Sequence, residues 1–344
     1  HRISGETMAE KFKTTYSTCK PCTILCGHKG NIGGKIRQIP EYETIGLMGS
    51  NLEIFDPVKI SDWNEICSLM GMDTITAGGT LAWAMEASEK GLFKSNLRFG
   101  SSEEVSETLM DIACVKGIGK DLAMGSRFCS KKFGGEDFAI QVKGLEMAAY
   151  DPRGSFGQGL SYAVANRGAC HLASSAFALE VYFNLINPYG YNSKASLIKY
   201  QEDIMSAINS LQTCVFTAFR YELETPLMKI MPKFVLRICM NLMAGIALRL
   251  VDISLWPEFW SSITGRKLGM TAFLRAGERV QVLERLMNTR EGISRKDDTL
   301  PPRLLTEFRK CDDRELAIPL ETMLDRYYFI RGFDKNGVPK KSIL

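Results

Sequence analysis

Apolar positions along this chain recur mostly at three- and four-residue intervals, the spacing that gathers them on one face of a helix. In SSEEVSETLMDIACVKG, Val105, Leu109, Ile112 and Ala113 share a face, and Ser101 with Glu104 reads as a capping box. SKASLIKYQEDIMSAINSLQTC puts Leu197, Ile204, Ile208 and Leu211 on one stripe, so a long helix delivers Cys214 at its end. TAFLRAGERVQVLERLMNTREG repeats the pattern with Phe273, Ala276, Val280, Leu283 and Met287, and Gly292 is placed to end it. Alternating strand-like runs are few and short, such as FAIQVKG at 138–144, which also makes a plausible joint. The pattern predicts a mainly α chain of two helical domains, 1–140 and 141–344.

Between the periodic segments, Gly and Pro concentrate in GHKGNIGGKIRQIPEYE, TAGGT, YDPRGSFGQGLSYAVANRGACH and RKDDTLPPR. These read as loops whose small residues let backbone come close to a ligand. The most apolar stretch, RICMNLMAGIALRLVD, has about 11 uncharged residues between Arg237 and Arg249. Spanning a bilayer takes roughly 20, so a buried or partner-facing helix is expected and no transmembrane segment. The chain opens HRISGET, with no Met, signal core or transit-type lead, and is read as the downstream part of something longer.

With 344 residues the chain can bury a substantial core, and its net charge of +4 is spread along it without a basic block. That disfavours nucleic acid as a partner. Ten cysteines without a secretion signal and with uneven spacing fit a reducing cytoplasm better than a disulfide framework. Cys67, Cys114, Cys129, Cys239 and Cys311 lie in apolar or helical surroundings, where a free Cys behaves as a small hydrophobe.

Cys19, Cys22 and Cys26, in STCKPCTILCGHKG, form C-x2-C-x3-C. Structural zinc usually draws two paired knuckles, and no second pair is present. Three clustered thiolates with one distant Cys suit a cubane iron–sulfur cluster, because a short loop wraps three irons while another element reaches the fourth. Zinc and a non-metal role remain as alternatives, with His28 as a conceivable ligand, and spacing alone does not choose the fourth ligand.

CKPCTILCG, PEYETIGLMGSNL, MGMDTITAGGTLAWAME, KGLEMAAYDPRGSFGQGLSYAVANRGACH, NSLQTCVFT, REGISRKDDTLPPR and MLDRYYFIRGF, in this order, resemble the aldehyde:ferredoxin oxidoreductase family of tungsten-pterin enzymes. The resemblance runs from about residue 8 to the C-terminus. It implies a [4Fe-4S] cluster on Cys19, Cys22, Cys26 and Cys214, and tungsten or molybdenum held by the dithiolenes of two pterins rather than by side chains. It further implies that the family's N-terminal β-rich domain has no counterpart in this chain.

The family's pterin motifs have the form D-x-x-G-L followed by D or C. The first falls on SLMGMD, where Gly71 and Asp73 match and Ser68 replaces the acid; the second falls on NSLQTC, where Asn209 replaces the acid, Gln212 the Gly, and Thr213 precedes Cys214. Ser and Asn still accept a pterin N–H, without charge assistance. Glu43 and Tyr42 match the pair near the metal and His171 the active-site histidine, whereas Ala173 stands where a basic residue is common. An aldehyde oxidation needs a base toward water and a donor to the carbonyl oxygen, the roles implied for Glu43 and for His171 with Tyr42. The family's dimer-interface metal motif falls on DWNE, residues 62–65, which lacks its His, so no metal is expected there. The expected partners are a small aldehyde and ferredoxin or an iron–sulfur partner subunit, with a homodimer left open. The competing readings are an iron–sulfur electron-transfer or assembly subunit that has lost pterin chemistry, and a structural zinc protein.

Overall fold

Ser4 starts the first helix, α1 (Gly5–Phe12), by accepting from the Thr7 N–H at 3.4 Å. This computed structural model describes residues 1–217, 230–248, 251–309, 311 and 314–343. Cα packing divides the chain into His1–Ala149 and Tyr150–Leu344. Arg249, one bound of the apolar stretch, lies outside the described residues.

In the first unit, α1 meets an antiparallel sheet of β1 (Thr15–Tyr16), β2 (His28–Ile32) and β3 (Lys35–Gln38), so part of the glycine-rich GHKGNIGGKIRQ is hairpin rather than loop. Gly33 and Gly34, at φ 62° and 82°, make its tight turn. A Cβ at Gly30 would stand 2.8 Å from the Phe12 carbonyl, so only Gly lets β2 and α1 touch. Two long helices follow, α2 (Pro57–Met70) capped by Asp56 and α3 (Thr74–Glu89) capped by Asp73. TAGGT, expected as a loop, lies inside α3: a Cβ at Gly78 would meet the Leu47 backbone at 2.8 Å and one at Gly79 the Glu146 side chain at 3.0 Å. The glycines serve packing here, at a small propensity cost.

α4 (Val105–Cys114) begins after Glu104 with no side-chain cap, so the expected capping box does not form; the Ser101 N–H instead bonds to the Arg98 carbonyl at 3.2 Å. Val105 and Leu109 are buried in a core with Trp63, Leu81, Trp83 and Met85. Buried Glu146 accepts from the Ser126 N–H and hydroxyl, each at 2.8 Å, at the start of α5 (Gly125–Phe133). FAIQVKG contributes only Gln141–Val142 (β4), paired with Leu145–Glu146 (β5).

In the second unit, α6 (Phe156–Val164) is buried along its whole length. Glu180 holds its first turn, accepting from the Gly157 N–H at 3.0 Å, and pairs with Lys194; both side chains are 0% exposed. Lys194 opens α7 (Lys194–Ser210), on which Leu197, Ile204 and Ile208 are buried as the stripe predicts. The helix also buries Glu202 and Asp203, both paired with Arg331 of α11 (Leu320–Arg331). Between them in sequence lie α8 (Lys233–Leu242), α9 (Leu255–Thr264) and α10 (Met270–Arg290).

Of the expected stripe α10 buries Phe273, together with Gly277, Val282 and Arg285 from outside it, and leaves Leu283 and Met287 each 57% exposed. Two features rotate the face. A Cβ at Gly277 would fall 1.8 Å from the Asp203 carbonyl, so the helix meets α7 there without a side chain. Arg285 is neutralised by a two-pronged pair with Asp298 at 2.9 and 2.8 Å. Gly292, at φ 91°, follows the helix end as expected. No helix among the described residues is long and apolar enough to cross a membrane.

Candidate functional site

The cysteine loop lies between β1 and β2 of the first unit. A turn closes from the Cys22 N–H to the Cys19 carbonyl at 2.8 Å, and the Ile24 N–H points at the Cys22 sulfur at 3.4 Å. Cys19 and Cys26 are exposed and Cys22 is partly so. Burial raises Cys67 to about 11 and Cys129 to about 12, and the Cys129 thiol donates to the Asp121 carbonyl at 3.2 Å. Those two stay protonated and inert, whereas the loop offers accessible thiols with an N–H to steady a thiolate. This donor chemistry fits a cluster. Among the described residues no three His, Cys, Asp or Glu side chains converge as a metal-ion site. Asp62 and Glu65, of the DWNE segment, are both paired with Arg37.

Tyr42 and Glu43 lie on a one-turn helix, Tyr42–Thr44, where the Tyr42 hydroxyl donates to the Ala149 carbonyl at 3.1 Å. Thr44 and Thr74 hydroxyls, 2.8 Å apart, tie that turn to the start of α3, beside the loop of the first pterin motif. Ser68, Gly71 and Asp73 are exposed there, Gly71 in the left-handed conformation and Asp73 accepting from the Thr76 N–H at 2.7 Å. The sequence reading passed over Glu41, whose carboxyl is pushed above the usual range by partial burial and by the Glu43 charge, with His28 opposing. The same two causes raise the Tyr42 hydroxyl.

The second unit holds a cleft of about 550 Å³, and of its predicted site residues Asn209 is the one that lines it. Asn209, at the end of α7, lines it, as do Cys170, Leu172 and Ala173 on either side of His171. His171 itself is half-buried, its ring 5.7 Å from Tyr150, which stacks on Phe177 at 3.8 Å. Gln212 takes the left-handed conformation, φ 56°, at the position where the motif has Gly, and the Thr213 hydroxyl donates to the Ile208 carbonyl at 3.2 Å. Cys214 follows, exposed. α10 supplies a wall that was missed, Gln281, Glu284 and Asn288, whose spacing of three and four residues is the available signal. Amides, a carboxylate and an apolar floor of Met205, Val215 and Met287 suit a flat heterocyclic guest. The residues present therefore fit a pterin.

Comparison with known proteins bears directly on this geometry. The family model for aldehyde ferredoxin oxidoreductase, domains 2 and 3, matches residues 1–344. This chain belongs to the aldehyde ferredoxin oxidoreductase family. It is 33% identical, over 99% of its length, to the tungsten-containing aldehyde ferredoxin oxidoreductase of Pyrococcus furiosus, covering 54% of that protein. The corresponding protein of Thermococcus kodakarensis is 32% identical over 98% of the chain, which covers 53% of it. An aliphatic sulfonate oxidoreductase, WOR-like subunit, of Pyrococcus furiosus is 25% identical over 92% of the chain and 46% of its own length. The chain thus spans about half the length of the curated relatives it matches. Among solved structures, the active site complex BamBC of benzoyl coenzyme A reductase, in complex with 1,5-dienoyl-CoA, aligns with a TM-score of 0.71 at 18% identity. It covers 98% of this chain and 53% of that one, a likeness of fold.

Proposed function

We propose that the full-length protein oxidises an aldehyde to a carboxylic acid and passes the electrons through a [4Fe-4S] cluster to ferredoxin or an iron–sulfur partner subunit. The observation that carries this reading is the second-unit cleft: Asn209, the first residue of the second pterin motif, and the residues flanking His171 line the same cavity. Family membership and the accessible thiols of the cysteine loop support it. Cys19, Cys22, Cys26 and Cys214 are the proposed cluster ligands, and the loops around Ser68, Gly71 and Asp73 and around Asn209 and Thr213 the pterin contacts. When bound, a tungsten or molybdenum bis-pterin supplies a two-electron acceptor.

The chain's own residues have the remaining work. Aldehyde and water give acid, two electrons and two protons. Glu43 accepts a proton from the attacking water, and His171 donates a hydrogen bond to the carbonyl oxygen as charge develops there. Tyr42 is a further donor; its raised pKa keeps the hydroxyl protonated.

A second reading is favoured by Asn209 and Gln212, which depart from the motif: an iron–sulfur electron-transfer or assembly subunit without productive pterin chemistry. Metal analysis and aldehyde assays of anaerobically purified full-length protein separate the two. Iron with tungsten or molybdenum, plus aldehyde oxidation, is expected; iron alone supports the second reading, and zinc alone sinks both. Bound tungsten without aldehyde turnover keeps the cofactor and rejects the substrate class.

A further inference from the structure

We propose that Glu284 is the carboxylate that grips the hydrogen-bonding edge of the heterocycle in the second-unit cleft, in place of the acid missing at Asn209. This rests on the functional reading above. The charged side chains lining the cleft are Arg167 and Glu284; Asn209 lines it as a neutral amide, and Ala173 as a methyl. A ring with an amidine-like edge presents two N–H donors side by side, which a carboxylate accepts with both oxygens and an amide with one. Without Glu284 the cleft would have no charge-assisted acceptor.

Glu284 is also held ready. Its Oε2 accepts from Asn166 Nδ2 at 3.1 Å, and the same nitrogen donates to the Gln281 carbonyl and Oε1 at 3.1 and 3.0 Å. The Asn166 carbonyl accepts from Asn288 Nδ2 at 2.6 Å, and Gln281 Nε2 donates to the Ser206 hydroxyl at 2.8 Å. One of these bonds, from Asn166, reaches the carboxylate, the others brace Asn166 and Gln281 beside it, and the Glu284 side chain stays exposed. A guest meeting an acceptor already directed by Asn166 loses less freedom on binding.

Glu284→Gln keeps the size and can still accept from Asn166, so it removes charge alone. In full-length protein after anaerobic dialysis, this variant is expected to retain at least about 10-fold less pterin and tungsten or molybdenum than wild type, with iron unchanged. Moving the acid back, as Asn209→Asp in the Glu284→Gln background, is expected to restore most of the pterin. Wild-type pterin content in Glu284→Gln overturns the assignment. So does a loss that Asn209→Asp fails to rescue, accompanied by a lowered unfolding temperature, since Glu284 would then be structural. A wild-type protein holding no pterin at all overturns this assignment together with the functional reading, whereas a loaded wild type with an equally loaded variant overturns this assignment alone.

Discussion

The turn after α2 and the turn after α7 each end a long helix in a left-handed residue, Gly71 at φ 69° in one unit and Gln212 at φ 56° in the other. Around the shared bend the residues differ. Asp73 closes the first turn by capping α3, accepting from the Thr76 N–H at 2.7 Å, so its carboxylate is engaged locally. The second is closed by the Thr213 hydroxyl on the Ile208 carbonyl at 3.2 Å, and it presents Asn209 and Cys214 to solvent. A left-handed conformation is nearly free for Gly and costs a residue with a Cβ about 1 kcal/mol. The second turn therefore keeps its shape against a local penalty, as expected where a backbone bend serves to present side chains. The first keeps the motif glycine, and the second keeps the thiol.

The sharpest way to break this comparison is to remove the thiol. If Cys214 is a cluster ligand, Cys214→Ser abolishes or converts the cluster as completely as Cys22→Ser, roughly 190 positions away in sequence. Cys67→Ser and Cys129→Ser, at buried thiols, leave iron and sulfide per chain unchanged. Full iron in Cys214→Ser would return the second turn to the status of an ordinary helix end.

Next in size are the catalytic assignments, one in each unit. Glu43→Gln and His171→Asn are each expected to lower aldehyde oxidation by at least about 100-fold with metal and iron retained, the usual loss for a positioned acid or base. Near wild-type turnover in a fully loaded Glu43→Gln would shift attention to Glu41, two residues away. Losing the Glu43 charge also brings the Glu41 carboxyl down toward its ordinary range, because that charge is one of the two causes holding it up. A titration of both forms followed by carboxylate NMR checks the direction.

The mainly helical class, the α7 stripe and the cysteine loop were legible because each depends on spacing alone. Leu197, Ile204 and Ile208 are buried as their period requires. The buried face of α10 was not legible, since it is set by Gly277 against a backbone carbonyl and by Arg285 against Asp298, and apolar periodicity sees neither. TAGGT misled for a related reason: glycines that permit a close helix approach look in sequence like glycines that permit a turn. The cleft wall of Gln281, Glu284 and Asn288 was hidden among the ordinary polar positions of an amphipathic helix, and only the fold assigns it to the same cavity as Asn209.

Smaller effects test the backbone itself. Gly71→Ala adds a methyl with nothing within 4 Å of it, so the whole cost is conformational. A destabilisation of about 1–2 kcal/mol is expected, seen as an unfolding midpoint lower by about 1–3 °C in a thermal scan of the full-length protein. An unchanged midpoint would mean that the turn after α2 relaxes out of the left-handed region at no cost.

The reciprocal change, Gln212→Gly, has the smallest effect and the opposite sign. Relief of the left-handed strain contributes about 1 kcal/mol toward stability, while the extra freedom of Gly in the unfolded chain takes back about 0.5–1 kcal/mol. The net is a stabilisation of a few tenths of a kcal/mol at most, so the unfolding midpoint alone resolves little. Backbone mobility is the better readout. If Gln212 keeps the bend stiff so that Asn209 and Cys214 are held in place, the glycine variant should exchange the amides of residues 209–214 faster, and retain less cluster iron on dialysis, with the global midpoint essentially unchanged. Equal exchange and equal iron would show that the bend is imposed by the end of α7 and the Thr213 cap, and that the identity of residue 212 is incidental to the site.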